Sequence, residues 1–374
     1  MINNFHKYKK VLVIGAGSGR DIASSVLITE KLKKEGVVID LAGFLTPWAL
    51  HLFNGKLEKP INKLNSKTAK KFIITKENES LNSFFEPELI EINKKFKLGI
   101  RDIYLFSLQY GTNKLKVQLE NLIKRKSYDL IIAVDVGGDI LARKKDLGSI
   151  FTPIVDFSCL EILSKLKKPT AKVLSVVAPG VDGELNKKQL NEIFKEYKKD
   201  DLVLGNEIIS KQGVEYQKFL NVYNEINLRT NSQSHTCKVI KKLVEEKSNF
   251  KEEYQKRLKI GKKTWVVRFP VELDKNISNR IFYFDLNKIK STRMDINIKY
   301  SNILEAFHNL KKQGVGGTEV DLAYVPGKIK GGKYSDCKFI LNPFSRVSIK
   351  QKENIINYGL LQVNKGKIKN LIIN

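Results

Sequence analysis

The chain has 374 residues, 42% of them apolar, enough to bury a sizeable core as one large domain or two linked ones, which excludes a disordered chain. Its formal charge is +27, but 57 of the 67 basic residues are lysine, spread in short pairs such as Lys33-Lys34, Lys167-Lys168 and Lys311-Lys312 with no interleaved aromatic stripe. That pattern reads as solvated helix faces and disfavours a nucleic-acid surface. Three distant cysteines (Cys159, Cys237 and Cys337) exclude a disulfide framework, and the longest apolar runs (130–134 and 173–178) are too short for a membrane span. With no apolar leader before the first strand, the expectation is a cytoplasmic protein.

Residues 10–14 predict the first strand, which runs into Gly15-Ala16-Gly17-Ser18-Gly19-Arg20-Asp21. A helix over 21–35 follows, ended by Gly36 as its C′ residue, and then a second strand over 37–44. The polar, aperiodic stretch 54–71 reads as a loop, 103–107 as a strand and 113–126 as an amphipathic helix. An almost wholly apolar strand over 129–134 is of the buried parallel type, followed by a helix (154–166), another buried strand (171–178) and a helix (185–199). This alternation predicts an α/β fold, Rossmann-like and doubly wound, with a mostly parallel sheet. Residues 205–259 read as continuously helical with a break at 229–232; the last third mixes strands (264–272, 280–286, 338–341, 359–363) with a helix over 302–312. The expected division is a Rossmann-like ligand-binding core over 1–204 and, over 205–374, a helical segment and mixed α/β extension packing on it.

The chemistry concentrates where strands end. After strand one, Gly15, Gly17 and Gly19 suit a tight turn whose amides face an anion, with Ser18, Arg20 and Asp21 beside it. The dinucleotide fingerprint needs its third glycine at position 20, which is arginine, and Asp40 lies inside strand two rather than at its end. A standard dinucleotide site is therefore poorly supported. The turn also matches the first motif of S-adenosylmethionine-dependent methyltransferases, although Val13 stands where those carry an acidic residue.

After the apolar strand come Asp135, Gly137, Gly138 and Asp139, two carboxylates around two glycines; after the next come Pro179, Gly180, Asp182, Gly183 and Glu184. Each acidic residue could be a helix cap or first-turn residue. Three such strand ends on one sheet edge point instead to a polar crevice, in which carboxylates hold a metal, a hydroxyl or an amine, or raise one another's pKa to act as a base. Magnesium is one candidate. Ser232, Ser234 and His235 form a polar cluster between helices, and Glu319 and Asp321, after Gly316, share one face of a predicted strand; both carry less weight.

Taken together, Gly19-Arg20-Asp21, Asp135-Val136-Gly137-Gly138-Asp139, Pro153-Ile154-Val155-Asp156, Asp182-Gly183-Glu184-Leu185 and Gly317-Thr318-Glu319-Val320-Asp321 resemble the prokaryotic family called domain of unknown function 1152. The resemblance implies a Rossmann-like fold and adds Asp156 as a site candidate, without implying a reaction.

The leading expectation is an enzyme that binds a nucleotide or other phosphate-bearing small molecule in the crevice, for metal-assisted group transfer or hydrolysis. Gly15, Gly17, Ser18, Gly19, Arg20, Asp21, Gly137 and Gly138 would contact the ligand, and Asp135, Asp139, Asp182 and Glu184 would act on it. The alternatives are a methyltransferase and a non-catalytic nucleotide- or RNA-binding protein. A homo-oligomer is compatible with the chain.

Overall fold

The structure, a computed structural model, describes residues 5–17, 21–45, 52–53, 56–57, 89–108, 111–169, 171–230, 234–245, 251–260, 263–293, 296, 298–301, 303–316, 318, 324–326, 337–339, 363–364, 367–368 and 371–372. The longer strands are β1 (Lys10–Gly15), β2 (Val38–Leu45), β3 (Ile100–Ser107), β4 (Leu130–Val136), β5 (Ala171–Val177), β6 (Val203–Ile208), β7 (Lys251–Ile260), β8 (Lys263–Glu272) and β9 (Arg280–Asp285). The helices are α1 (Asp21–Ser24), α2 (Val26–Lys34), α3 (Leu89–Phe96), α4 (Gly111–Lys126), α5 (Pro153–Ser164), α6 (Lys187–Lys199), α7 (Val214–Thr230), α8 (His235–Glu245), α9 (Leu286–Arg293) and α10 (Ile303–Lys312).

Seven strands make one sheet in the order β3-β2-β1-β4-β5-β9-β6. The neighbours from β3 to β5 are parallel, while β9 opposes both β5 and β6, so six strands point the same way. This is the mostly parallel, doubly wound sheet that the alternating pattern predicts. The order places a switch point between β1 and β4: the chain winds outward through β2 and β3, then returns to β1's other side. Every residue of β4 is buried, because helices cover both faces. Alternate side chains divide accordingly. Leu12, Ile14, Ile131 and Ala133 pack with α4, α5, α6, α9 and α10, while Val11, Val13, Ile132 and Val134 pack with α2, α3, α7 and α8.

Several expected elements are redrawn. The first helix breaks at Ser25, whose hydroxyl donates back to the Asp21 carbonyl. Gly36, at φ +74°, ends α2 as expected. Residues 203–208 and 251–260 are strands, not parts of one helix: β6 is held by β9, and β7 pairs along its whole length with β8, so tertiary pairing overrides the helical preference of the Lys- and Glu-rich segment. The sheet thus draws β9, and most of β6, from beyond residue 204. At the end of α10 the left-handed residue is Gly314 rather than Gly316. Gly316 serves a close approach instead, since a Cβ there would lie 2.4 Å from the Gly148 carbonyl. Most of the 54–71 stretch and of the predicted strand 359–363 lies outside the described residues.

Candidate active site

Strands β1 and β4 end level, with Gly15 opposite Val134, and the Ala16 N–H continues the ladder by donating to the Val134 carbonyl at 2.7 Å. Asp135 pairs with Val176 of β5, and beyond it the Gly137 N–H donates to the Val177 carbonyl at 3.0 Å. The Gly180 N–H returns to the Gly137 carbonyl at 2.6 Å. These bonds stitch three strand ends into one edge, where the sheet delivers Asp21 (first residue of α1), Asp135 (in β4), Asp139 (after it) and Asp182 (after β5). Helix α5, crossing the same edge, adds Asp156 from its first turn. Asp21, Asp135, Asp139 and Asp156 are buried; Asp182 is half-buried, with its Oδ2 shielded from solvent.

Their hydrogen bonds leave large gaps. Asp21 Oδ2 accepts the Val136 N–H at 3.0 Å, and Asp182 Oδ1 accepts the Glu184 N–H at 3.0 Å. Thr152 Oγ1 lies 3.3 Å from Asp139 Oδ2 but 2.7 Å from Glu184 Oε1, and its single proton favours the nearer oxygen. Among the described residues no donor reaches either oxygen of Asp135, Oδ1 of Asp156 or Oδ2 of Asp182. No described lysine or arginine pairs with any of the five. Burying uncompensated carboxylates is costly, so their protons are held tightly. Burial and then the Asp135 charge push Asp21 well above the usual range; burial with Glu184 does so for Asp139 and for Asp182, and burial with Asp139 for Asp156. Burial lifts Asp135 to about 6. One turn along α5, burial and the same acidic neighbours push the Cys159 thiol up, so it stays neutral.

Glu184 is differently placed. Oε2 accepts the N–H groups of Phe151 and Thr152 at 2.7 and 3.2 Å, and Oε1 takes the Thr152 hydroxyl. It thereby fastens the turn after β5 to the entry of α5.

The glycines are needed here, but their open sides face the protein's own groups. A Cβ at Gly15 would lie 2.6 Å from the Ile22 backbone; one at Gly17 would lie 2.2 Å from Asp21 Oδ2 and 2.8 Å from Asp156 Oδ1. Gly137, at φ +107°, leaves room for Asp182, whose Oδ2 would be 2.0 Å from a Cβ. Gly138 sits at φ +97°.

Ser18, Gly19, Arg20, Glu319 and Asp321 lie outside the described residues, as does the His235 side chain, although His235 begins α8. Ser234 is that helix's cap, its Oγ accepting the Cys237 N–H at 3.3 Å. Asp40 is far from the crevice chemistry: Arg101 and Tyr128 engage it inside the sheet. Sequence patterning alone gave Asp156 no signal of its own; the family resemblance did.

The family model described as protein of unknown function (DUF1152) matches residues 12–324. The chain belongs to that family. A comparison with curated proteins finds no match. Solved structures that match include the N,N'-diacetylchitobiose deacetylase from Pyrococcus horikoshii complexed with its inhibitor MPG, at 12% identity over 65% of this chain and 78% of that one, with a TM-score of 0.35. A likeness that distant carries no argument about the reaction. No helix among the described residues is long and apolar enough to cross a membrane.

Proposed function

We propose that this family member is an enzyme that binds a phosphate-bearing small molecule, with nucleotides among the candidates, and carries out metal-assisted hydrolysis or group transfer on it. The supporting observation is position. In open α/β sheets ligands bind outside the carboxyl ends of the strands where the winding reverses, and the turn from Gly15 to Asp21 and the segment from Asp135 to Asp139 flank that point, between β1 and β4. Arg20 is the basic residue of the first turn and, with Gly19, is assigned to the phosphate. Asp135, Asp139 and Asp182 are assigned to the reacting end, where Asp139 and Asp182, held protonated by burial and by Glu184, would donate hydrogen bonds to the reacting group. Glu184 positions α5 rather than touching substrate.

Isothermal titration of the full chain with nucleotides and sugar phosphates, with and without magnesium, tests this reading. Saturable binding that weakens on Arg20→Ala supports it. Absence of heat with every phosphorylated compound, with and without magnesium, removes it.

A further inference from the structure

We infer that Asp21, Asp135 and Asp156 form the binding site of one hard divalent cation. The inference deepens the reading above by naming the metal's ligands, and it is testable without any phosphorylated compound. One oxygen from each of the three carboxylates lies within 4.8 Å of the others. A single ion with metal–oxygen distances of about 2.0–2.6 Å can be shared by three oxygens gathered this closely, after a small contraction of the cluster.

The three residues come from three elements (the start of α1, the end of β4 and the first turn of α5), so the fold, not a local sequence run, assembles them. Asp21 and Asp156 converge on the bare Cα of Gly17. The Val136 N–H holds Asp21 Oδ2 in place from the β4 side. A cluster of acids is not by itself a metal site. What points to an occupant is that Asp135, at 0% exposure, has neither oxygen hydrogen-bonded, and that Oδ1 of Asp156, at 1%, is in the same condition.

Two other occupants are less suited. Protons on Asp156 and Asp139 shared with Asp135 would satisfy it only by keeping those crowded, buried acids neutral, and would still leave several acidic oxygens facing one another. A lysine or arginine would have to come with a side chain, and none is paired with these carboxylates among the described residues. A doubly charged ion satisfies several oxygens at once and offsets two of the three charges. The donor set is oxygen only, which selects magnesium, manganese or calcium over thiolate- and imidazole-seeking metals. Asp139 and Asp182 lie further round the crevice and keep their protons in this assignment.

The test is a titration of chelator-treated, full-length protein with manganese chloride alone, following free manganese by electron paramagnetic resonance and stability by thermal melting. One bound ion per chain is expected, with a raised melting temperature and displacement by magnesium or calcium. Asp135→Asn and Asp156→Asn should each weaken binding at least about 100-fold, beyond what loss of an outer partner costs. The metal-free Asp135→Asn protein should melt at or above the metal-free wild type, since it no longer buries a bare carboxylate; a purely structural acid would show the reverse. If either variant fails to fold, Asp21→Asn replaces it in the comparison. No manganese bound at millimolar concentration, or binding equal in wild type and folded variants, overturns the assignment. Manganese binding without any response to phosphorylated compounds would leave the cation site standing and discard the phosphate reading; the opposite pattern would do the converse.

Discussion

Two aspartates of one sheet, Asp40 in β2 and Asp135 in β4, are both 0% exposed, yet they are treated in opposite ways. Asp40 is surrounded by donors. Arg101 grips both its oxygens (Nε to Oδ1 at 2.9 Å, Nη2 to Oδ2), the Tyr128 hydroxyl donates to Oδ2 at 2.5 Å, and the Asp102 N–H donates to Oδ1 at 3.2 Å. Burial and then Asp40 push the Tyr128 phenol upward, which keeps it a donor, and Lys126 on Asp102 at 2.8 Å completes the network. Around Asp135 the nearby charged groups are further carboxylates. The same fold that supplies a full set of partners 40 residues into the chain withholds them at the switch point. A buried acid with all its partners is structure; one without them marks a place kept for something else.

The largest expected effect separates the two acids by stability. Asp40→Ala strands Arg101 and Tyr128 and should lower the free energy of unfolding by about 2–3 kcal/mol in denaturant titrations, less than for a wholly buried pair because the Arg101 side chain is 39% exposed. Asp135→Asn, equally buried, should cost nothing in metal-free protein. Equal losses in the two variants would erase the distinction between them.

A smaller effect tests the space kept for the acids. Gly137→Ala forces a Cβ against Asp182 at a left-handed φ and should cost about 1–3 kcal/mol. Gly148→Ala, whose Cβ would meet nothing within 4 Å, should stay within about 0.5 kcal/mol of wild type. Thermal melting of both variants would show the contrast, and comparable melting temperatures would mean that the Asp182 turn is free to shift.

The most gradual effect is in pH. The folded pKa of Asp135, about 6, lies above the ordinary carboxyl value of 3.8, so its contribution to stability is complete below about pH 4 and is lost as pH rises through 6. In chelator, wild type should therefore lose on the order of 1 kcal/mol per pH unit relative to Asp135→Asn across that window. Saturating manganese should abolish the difference. Parallel pH profiles in chelator would show that Asp135 finds a partner after all.

Much of this site was legible in the residues. Apolar runs such as Leu130 to Val134 announce buried parallel strands, and the glycines and carboxylates that interrupt them mark strand ends, which the topology then gathers on one edge. Three features are not legible in the residue pattern itself, although the family resemblance flags the first. Asp156 sits in a helix first turn where any acidic residue suits the dipole, and only the fold carries it to Asp21 and Asp135. Glu184 looks like its neighbours in sequence, but its oxygens are taken by the entry to α5. Residues 251–260, full of helix formers, become a strand because their partner lies across a hairpin, a decision made by pairing rather than by propensity. The residues of the first turn suit amides that face an anion, but the space beside Gly15 and Gly17 is taken by Ile22 and by Asp21 with Asp156, as that beside Gly137 is taken by Asp182.

The reversed strand β9 also sets an order of assembly on the ribosome. Strand β6 has no sheet neighbour other than β9, so residues 203–208 must wait for residues 280–285 to be synthesised before they can join. The five strands that frame the crevice are under no such delay and can pair as they emerge. During that interval β5 is an open, apolar edge, the kind of surface that invites wrong partners. The crevice edge of the nascent chain is therefore complete while its flank is still unprotected, and a ligand or ion captured early would hold the first half together until the flank closes.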